Sequence, residues 1–203
     1  MNGRTAMKLY LIRHGESVGN QKRLLFGRSD YPLTELGREQ AAQVRDKMAE
    51  NPVSVCYSSP LMRARETAEI CFAGRGVDIL PLPEVMEQDM GRYENMDFPT
   101  MEAEHPEVMD AVMHGWYGFL PEGGESFAQV CLRATAGLDA VLRCGEDAAI
   151  VAHNGPLAAI VTHLLGVPQE RFDLFYNRHG CYSAFELDPS RPGSRTILLC
   201  FNK

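Results

Sequence analysis

The switching of apolar periodicity along this chain, between strand-like and helix-like runs, is the feature that most constrains its fold. Short strand-like runs lie at Lys8–Ile12, Val53–Tyr57, Asp78–Leu82, Ala148–Ala152, Cys181–Leu187 and Thr196–Phe201. Apolar residues recur at helical spacing over Thr34–Glu50, Leu61–Phe72, Ser126–Arg143 and Leu157–Leu165. Strands alternating with helices predict an α/β fold with a mostly parallel central sheet. The last two strand runs follow one another with no helix between them, which predicts an antiparallel element at the end. Thr34 is placed to cap its helix, with Gly37 a weak spot in the first turns. Pro60 suits a helix's first turn, where no backbone N–H is needed.

No linker, low-complexity tract or repeat interrupts the 203 residues, so the chain reads as one domain spanning residues 1–203. The stretch Gly91–Gly124 breaks the alternation and carries Tyr93, Phe98, Trp116, Tyr117 and Phe119. It reads as a lid or binding insertion, or as a helical subdomain whose aromatics fill a small core of its own; the two are compatible. A net charge of −7 argues against a nucleic-acid or anionic-membrane partner. Any anion site must then come from a local cluster of Arg and His. The six cysteines form no C-x-x-C pair and no signal segment opens the chain, so they read as reduced core thiols of a cytoplasmic protein. No Cys/His cluster has zinc-ligand spacing. The apolar window from Ala148 to Val167 is broken by His153, Asn154, Gly155, Pro156 and His163, and reads as strand, turn and helix rather than a membrane span.

Four segments bring polar groups to the ends of the expected strands: Arg13-His14-Gly15-Glu16 with Asn20 beyond it, Ser58-Ser59-Pro60-Leu61-Met62-Arg63, Glu84 to Gly91, and Ala152-His153-Asn154-Gly155-Pro156. In a parallel sheet such ends converge on one crevice. The chemistry that would use this set is phosphoryl transfer through histidine. A phosphomonoester carries close to two negative charges and repels an anionic nucleophile, whereas a neutral imidazole at His14 avoids that repulsion. Arg13 and Arg63 can grip the non-bridging oxygens by charge-assisted bonds and stabilise the transferring group. His153 and Asn20 can add donors, and Glu87 can protonate the leaving oxygen and then activate water. This scheme needs no metal or cofactor.

These segments resemble the histidine phosphatase superfamily, also called the phosphoglycerate mutase-like family. Leu11-Ile12-Arg13-His14-Gly15-Glu16-Ser17 matches its Arg-His-Gly motif, and Gly27 to Gly37 the segment that follows. Ser58 to Ala68 is similar to the second phosphate-binding motif, Glu87 to Glu94 to the acid segment, Pro121 to Ser126 to the Pro-Gly-Glu-Ser turn, and Val151-Ala152-His153 to the last motif. The resemblance implies a three-layer α/β/α sandwich with a helical lid at about 91–124. It implies a phosphorylated His14, phosphate binding by Arg13, Arg63 and His153, a proton donor in Glu87 and a supporting contact from Asn20. Asn154 stands where glycine is usual after the second histidine, a replacement that costs least if the backbone there is left-handed, and is counted with the phosphate-binding set. Asn95 likewise replaces a glycine after Glu94. Arg28 and Tyr93 are candidate substrate contacts; His105, His114, His163 and His179 match no motif and read as structural or surface residues.

The chain lacks the long insertions of the mutases, which favours a hydrolase acting on a small phosphorylated metabolite. The Gly123-Gly124-Glu125-Ser126 turn and the aromatic insertion resemble α-ribazole phosphatases, making α-ribazole 5'-phosphate a candidate substrate. The alternatives are a cofactor-dependent phosphoglycerate mutase and, in another class, a non-catalytic phospho-ligand binder.

Overall fold

The computed structural model describes residues 6–188 and 196–203. In chain order the strands are β1 (Met7–Arg13), β2 (Leu24–Leu25), β3 (Val55–Ser58), β4 (Asp78–Pro81), β5 (Met96–Asp97), β6 (Ala148–Ala152), β7 (Tyr182–Leu187) and β8 (Ile197–Cys200). The α-helices are α1 (Val18–Gln21), α2 (Glu35–Lys47), α3 (Met62–Cys71), α4 (Phe98–Glu104), α5 (Pro106–His114), α6 (Phe127–Leu142) and α7 (Asn154–Leu165). The main sheet has the order β4-β3-β6-β1-β7-β8, and β2 pairs with β5 apart from it. Strands β4, β3, β6 and β1 are parallel, while β7 and β8 add antiparallel at the end.

Alternation along the strands sorts the core onto two faces, because successive side chains point to opposite sides of a sheet. Leu9 and Leu11 of β1, Ile150 and Ala152 of β6 and Phe185 of β7 join the buried residues of α6 and α7. Tyr10 and Ile12, Ala149 and Val151, and Tyr182 and Ala184 join those of α2 and α3. The result is a three-layer α/β/α sandwich. The chain leaves β1 through α2 to β3 on one face, then returns through α6 on the other face to insert β6 between them. The carboxyl ends of β1, β3 and β6 therefore lie side by side, where open α/β sheets bind ligands.

Local chemistry sets the helix starts. Ser126 opens α6 with a capping box, its hydroxyl accepting from the Gln129 N–H at 3.4 Å while Gln129 Oε1 accepts from the Ser126 N–H at 2.8 Å. Such a cap is worth about 1 kcal/mol. Thr34 caps α2 by accepting from the Gly37 N–H at 3.0 Å. Gly37 is no weak spot: a side chain there would strike the Glu16 carbonyl, so glycine lets α2 lie against the loop after β1. Pro60 falls outside α3, which starts at Met62 after an extended Leu61. The Met62 N–H is satisfied by Asp30 Oδ1 at 2.7 Å, so proline is not needed to remove it. Helix α7 starts at Asn154, ahead of the apolar period, with His153 at its N-cap position and Pro156 in its first turn.

Residues 91–124 form α4, α5 and connecting turns around a small core of their own. Met90, Tyr93, Met101 and Val108 are buried together, with Trp116 and Phe119 packed against them. Trp116 stacks on Phe119 with centroids 5.5 Å apart, and its Nε1 donates to Gln88 Oε1 at 2.8 Å. Most of these aromatics are thus committed to the insertion itself; Phe98 is the exposed one, at 44%. Among the described residues, no helix is long and apolar enough to cross a membrane.

Candidate active site

His14 follows β1 directly, and its N–H extends the ladder by donating to Ala152 O on β6 at 3.0 Å. Its Nδ1 lies 2.6 Å from the Gly15 carbonyl oxygen. A carbonyl can only accept, so Nδ1 carries the proton and Nε2 keeps its lone pair. Gly15 is confined to glycine, because a side chain there would strike the Gly37 carbonyl. Its N–H donates to Thr67 Oγ1 at 3.1 Å, and that hydroxyl donates to Arg63 O at 2.7 Å. The loop bearing His14 is thereby tied to the helix bearing Arg63.

Arg63 sits in the first turn of α3 and is 1% exposed. Its Nη1 donates to Ser29 O at 3.0 Å, its Nη2 to Gly27 O at 2.7 Å and its Nε to His153 Nδ1 at 3.2 Å. Arginine has no acceptor, so His153 Nδ1 is the acceptor, and His153 Nε2–H donates to Ser59 Oγ at 2.8 Å. Arg13, also buried, donates from Nη1 to Asn177 O at 2.5 Å and lies 5.2 Å from the Tyr176 ring centre. The His14 and His153 rings are 5.0 Å apart.

Both imidazoles are held well below the ordinary histidine range, chiefly by burial and then by the Arg63 charge. Both rings are therefore neutral at pH 7, beside two guanidinium groups. Burial also draws Arg63 down to about 10, against the opposing charges of Glu87, Asp30 and Glu94, and leaves it a cation.

Glu87 reaches the site from the segment after β4. Its Oε2 accepts from the Gly155 N–H at 3.3 Å, at the start of α7 beside His153. A side chain on Gly155 would collide with this carboxylate and crowd the Phe127 ring. Arg133 of α6 fixes the backbone here, donating to the carbonyls of Glu84 (2.7 Å), Met86 (2.5 Å) and Glu87 (3.1 Å). Arg133 is itself held by both oxygens of Glu125, at 2.7 and 3.0 Å.

Glu94 fixes the other wall. Its Oε1 accepts from the N–H groups of Gly27 (2.8 Å), Arg28 (2.8 Å) and Met90 (3.2 Å), and its Oε2 from Ser29 (3.0 Å). The Gly27 and Ser29 carbonyls are the ones that hold Arg63. Burial raises the Glu94 carboxyl, but bonds from Ser29 and from backbone N–H groups outweigh it and set the group below its ordinary range.

The fold brings His14, Arg13, Arg63, His153 and Glu87 to one crevice. The other residues named from the sequence are differently engaged. Asn20 Oδ1 is taken by the N–H (3.0 Å) and hydroxyl (2.8 Å) of Ser17 in the cap of α1, leaving its amide end as the donor. Asn154 is not left-handed; it opens α7 and its Oδ1 accepts from the Asn177 N–H at 2.9 Å, which leaves its amide end as the donor. Asn95 does take the left-handed conformation, at φ 68°. Arg28 is paired with Glu125 at 3.1 Å and lies 2.9 Å from Met86 Sδ, so it braces the wall. Tyr93 is buried in the insertion's core with its hydroxyl on Glu107 Oε1 at 3.3 Å, so its ring and hydroxyl are both engaged there. His179, which by sequence reads as a structural or surface residue, has its ring 5.4 Å from that of His14, and no local pattern marks the Glu125–Arg133 pair.

A family model described as the histidine phosphatase superfamily, branch 1, matches residues 9–198. The chain belongs to this family. It is 34% identical over 165 residues, 80% of this chain and 76% of the other, to the protein of Erwinia tasmaniensis called "Probable phosphoglycerate mutase GpmB". It resembles the crystal structure of the α-ribazole phosphatase from Shigella flexneri at a TM-score of 0.88 and 28% identity, covering 97% of this chain and 96% of that one. Bacillus stearothermophilus YhfR is similar at a TM-score of 0.87 and 27% identity, covering 95% of each chain. The chain is an enzyme that hydrolyses phosphomonoesters.

Proposed function

We propose that the chain is one catalytic domain that hydrolyses a small phosphorylated metabolite through a phosphohistidine on His14, without a metal. The observation that carries this reading is the His14 Nδ1–H bond to Gly15, which leaves the Nε2 lone pair beside Arg13, Arg63 and His153. In this mechanism His14 Nε2 attacks the phosphorus as the P–O bond to the leaving group breaks. Glu87 gives its proton to the departing oxygen. The resulting carboxylate then takes a proton from water, whose oxygen attacks phosphorus as the P–N bond breaks, releasing phosphate and restoring neutral His14. Arg13 and Arg63 hold the equatorial oxygens throughout, in a site dry enough to make those charges count. Once a phosphoryl oxygen takes the Arg63 Nε–H, the other neutral tautomer of His153, its single proton moved from Nε2 to Nδ1 by exchange with water, would donate from Nδ1 to the phosphoryl group while the Ser59 hydroxyl donates to Nε2.

Hydrolysis is favoured over mutase action by the near-complete overlap with a phosphatase structure. α-Ribazole 5'-phosphate is the first substrate to test, on the strength of that same likeness. The insertion's aromatics pack on one another, so stacking of its base would fall to exposed rings such as Tyr176, which lies against Arg13. Only Cys56, Cys71 and Cys131 are core thiols, and Cys144, just past the end of α6, is exposed, but six unpaired thiols are in keeping with a cytoplasmic enzyme. The test is phosphate release in EDTA from p-nitrophenyl phosphate, phosphoglycerates, sugar phosphates and α-ribazole phosphate, with His14→Ala alongside. Release by the wild type alone is expected. Isomerised phosphoglycerate without release would mean a mutase, and phosphate binding without turnover a binder.

A further inference from the structure

Nothing in the mechanism above uses His179. Its Nε2 is buried and has no hydrogen-bond partner, a state that buried polar atoms of folded proteins seldom occupy. The ring is 5.4 Å from that of His14, and the Arg13 and Arg63 charges both act on it. Arg13 Nε, beside it in this cluster, is the same kind of atom: buried, polar and unpartnered. The backbone delivering His179 is well fixed. The Asn177 N–H donates to Asn154 Oδ1 (2.9 Å), the Arg178 N–H to Asn202 Oδ1 (2.8 Å) and the Gly180 N–H to His14 O (3.4 Å). Gly180 is left-handed at φ 58°, which lets the chain turn sharply from this ring into β7. A rigid turn thus holds a buried, unpartnered imidazole nitrogen beside the nucleophile.

We propose that His179 is a phosphoryl-binding residue, its Nε2–H donating to an oxygen of the group that His14 attacks. This rests on His14 being the nucleophile. Imidazole suits the position because it donates without charge. Burial, followed by Arg13 and Arg63, pushes its pKa down to about 3, so it adds no third cation to a crevice that already buries two. A lysine or arginine here would be costly to hold next to them.

The experiment compares His179→Ala and His179→Gln with wild type for kcat/KM on p-nitrophenyl phosphate and for inhibition by orthovanadate, which mimics the transferring group. Alanine should lower kcat/KM about 100-fold, the low end for loss of one preorganised donor, and weaken vanadate inhibition in parallel. Glutamine, which places an N–H near the Nε2 position, should recover most of both. Alanine kinetics close to wild type would overturn the proposal. So would lost turnover with unchanged vanadate inhibition, or a glutamine variant no better than alanine. If the alanine variant does not fold, His179→Met, of similar volume but without a donor, replaces it under the same criteria. Failure of the phosphatase reading itself would appear elsewhere, as absence of turnover in the wild type.

Discussion

Glu94→Gln is the substitution that most directly tests how this site is held. The carboxylate accepts four backbone N–H groups, at 2.8, 2.8, 3.2 and 3.0 Å, and through Gly27 and Ser29 supports the carbonyls that grip Arg63. Glutamine has the same shape, but one end becomes a donor facing a donor and the remaining oxygen is neutral. Bonds to a charged acceptor contribute about 1.5–3 kcal/mol each and neutral ones about 1. The three bonds at Oε1 therefore weaken and the one to Ser29 is lost; because the group is only about half buried, we expect a net destabilisation of about 2–4 kcal/mol. Urea unfolding at pH 7 should show a lower midpoint with an unchanged slope. Well below the melting temperature, kcat/KM should fall about tenfold as Arg63 loses its fixed carbonyls. The pH dependence supplies a second check. The folded carboxyl lies below its unfolded value of 4.5, so its contribution is complete above that value and disappears as pH falls through the folded pKa. The gap between wild type and variant should accordingly close in acid. An unchanged urea midpoint at pH 7, or a gap that stays constant down to pH 3, would refute the reasoning.

Two further outcomes follow from the same geometry. Glu87→Gln should slow alkyl phosphates by about 100-fold or more, and p-nitrophenyl phosphate, whose leaving group needs little protonation, by about tenfold or less; equal slowing across leaving groups, measured as kcat/KM, would assign the acid elsewhere. His14, His153 and His179 are all held below their unfolded value of 6.5, chiefly by burial. Below pH 6.5 the unfolded chain therefore binds protons that the folded one refuses, and stability should fall by up to about 1.4 kcal/mol per pH unit for each histidine. Urea midpoints from pH 8 to pH 5 measure this, and a flat profile would contradict it.

The fold was legible in the sequence wherever a single periodicity decided it. The expected Ala148–Ala152 run coincides with β6, whose five residues are all buried. Thr34 and Ser126 mark true helix starts, because a cap is a local bond between residues three apart. Legibility failed where a neighbour distant in sequence took over the local role. Pro60 looked like a first-turn residue, but Asp30 satisfies the Met62 N–H and the helix starts later. Gly37 reads as a weak spot within its helix, but Gly15 and Glu16 lie against it and leave no room for a side chain. Asparagine in place of glycine at 154 would suit a left-handed turn, but the residue opens α7 and none is needed there.

The same division runs through the site. His14, Arg63 and His153 could be read because each lies at or just beyond the end of a parallel strand, and strand ends converge by topology. The residues that aim them have no such address. Glu94 meets the Gly27–Ser29 loop across more than sixty positions, and Arg133 reaches back to the Glu87 segment across more than forty. Neither pairing has a spacing that a local pattern could contain. Each is nonetheless a charged side chain satisfying several backbone groups at once, which holds loop backbone in place where no regular ladder can. His179 is harder still to read, since its turn has neither helical nor strand period, and only the unpartnered nitrogen beside His14 sets it apart. The chemical groups of this enzyme are thus encoded by where strands end, and their alignment by long-range contacts between single side chains and loop backbone. Substitutions at Glu94, Glu125 or Arg133 should therefore disturb catalysis while leaving the sheet and its flanking helices intact.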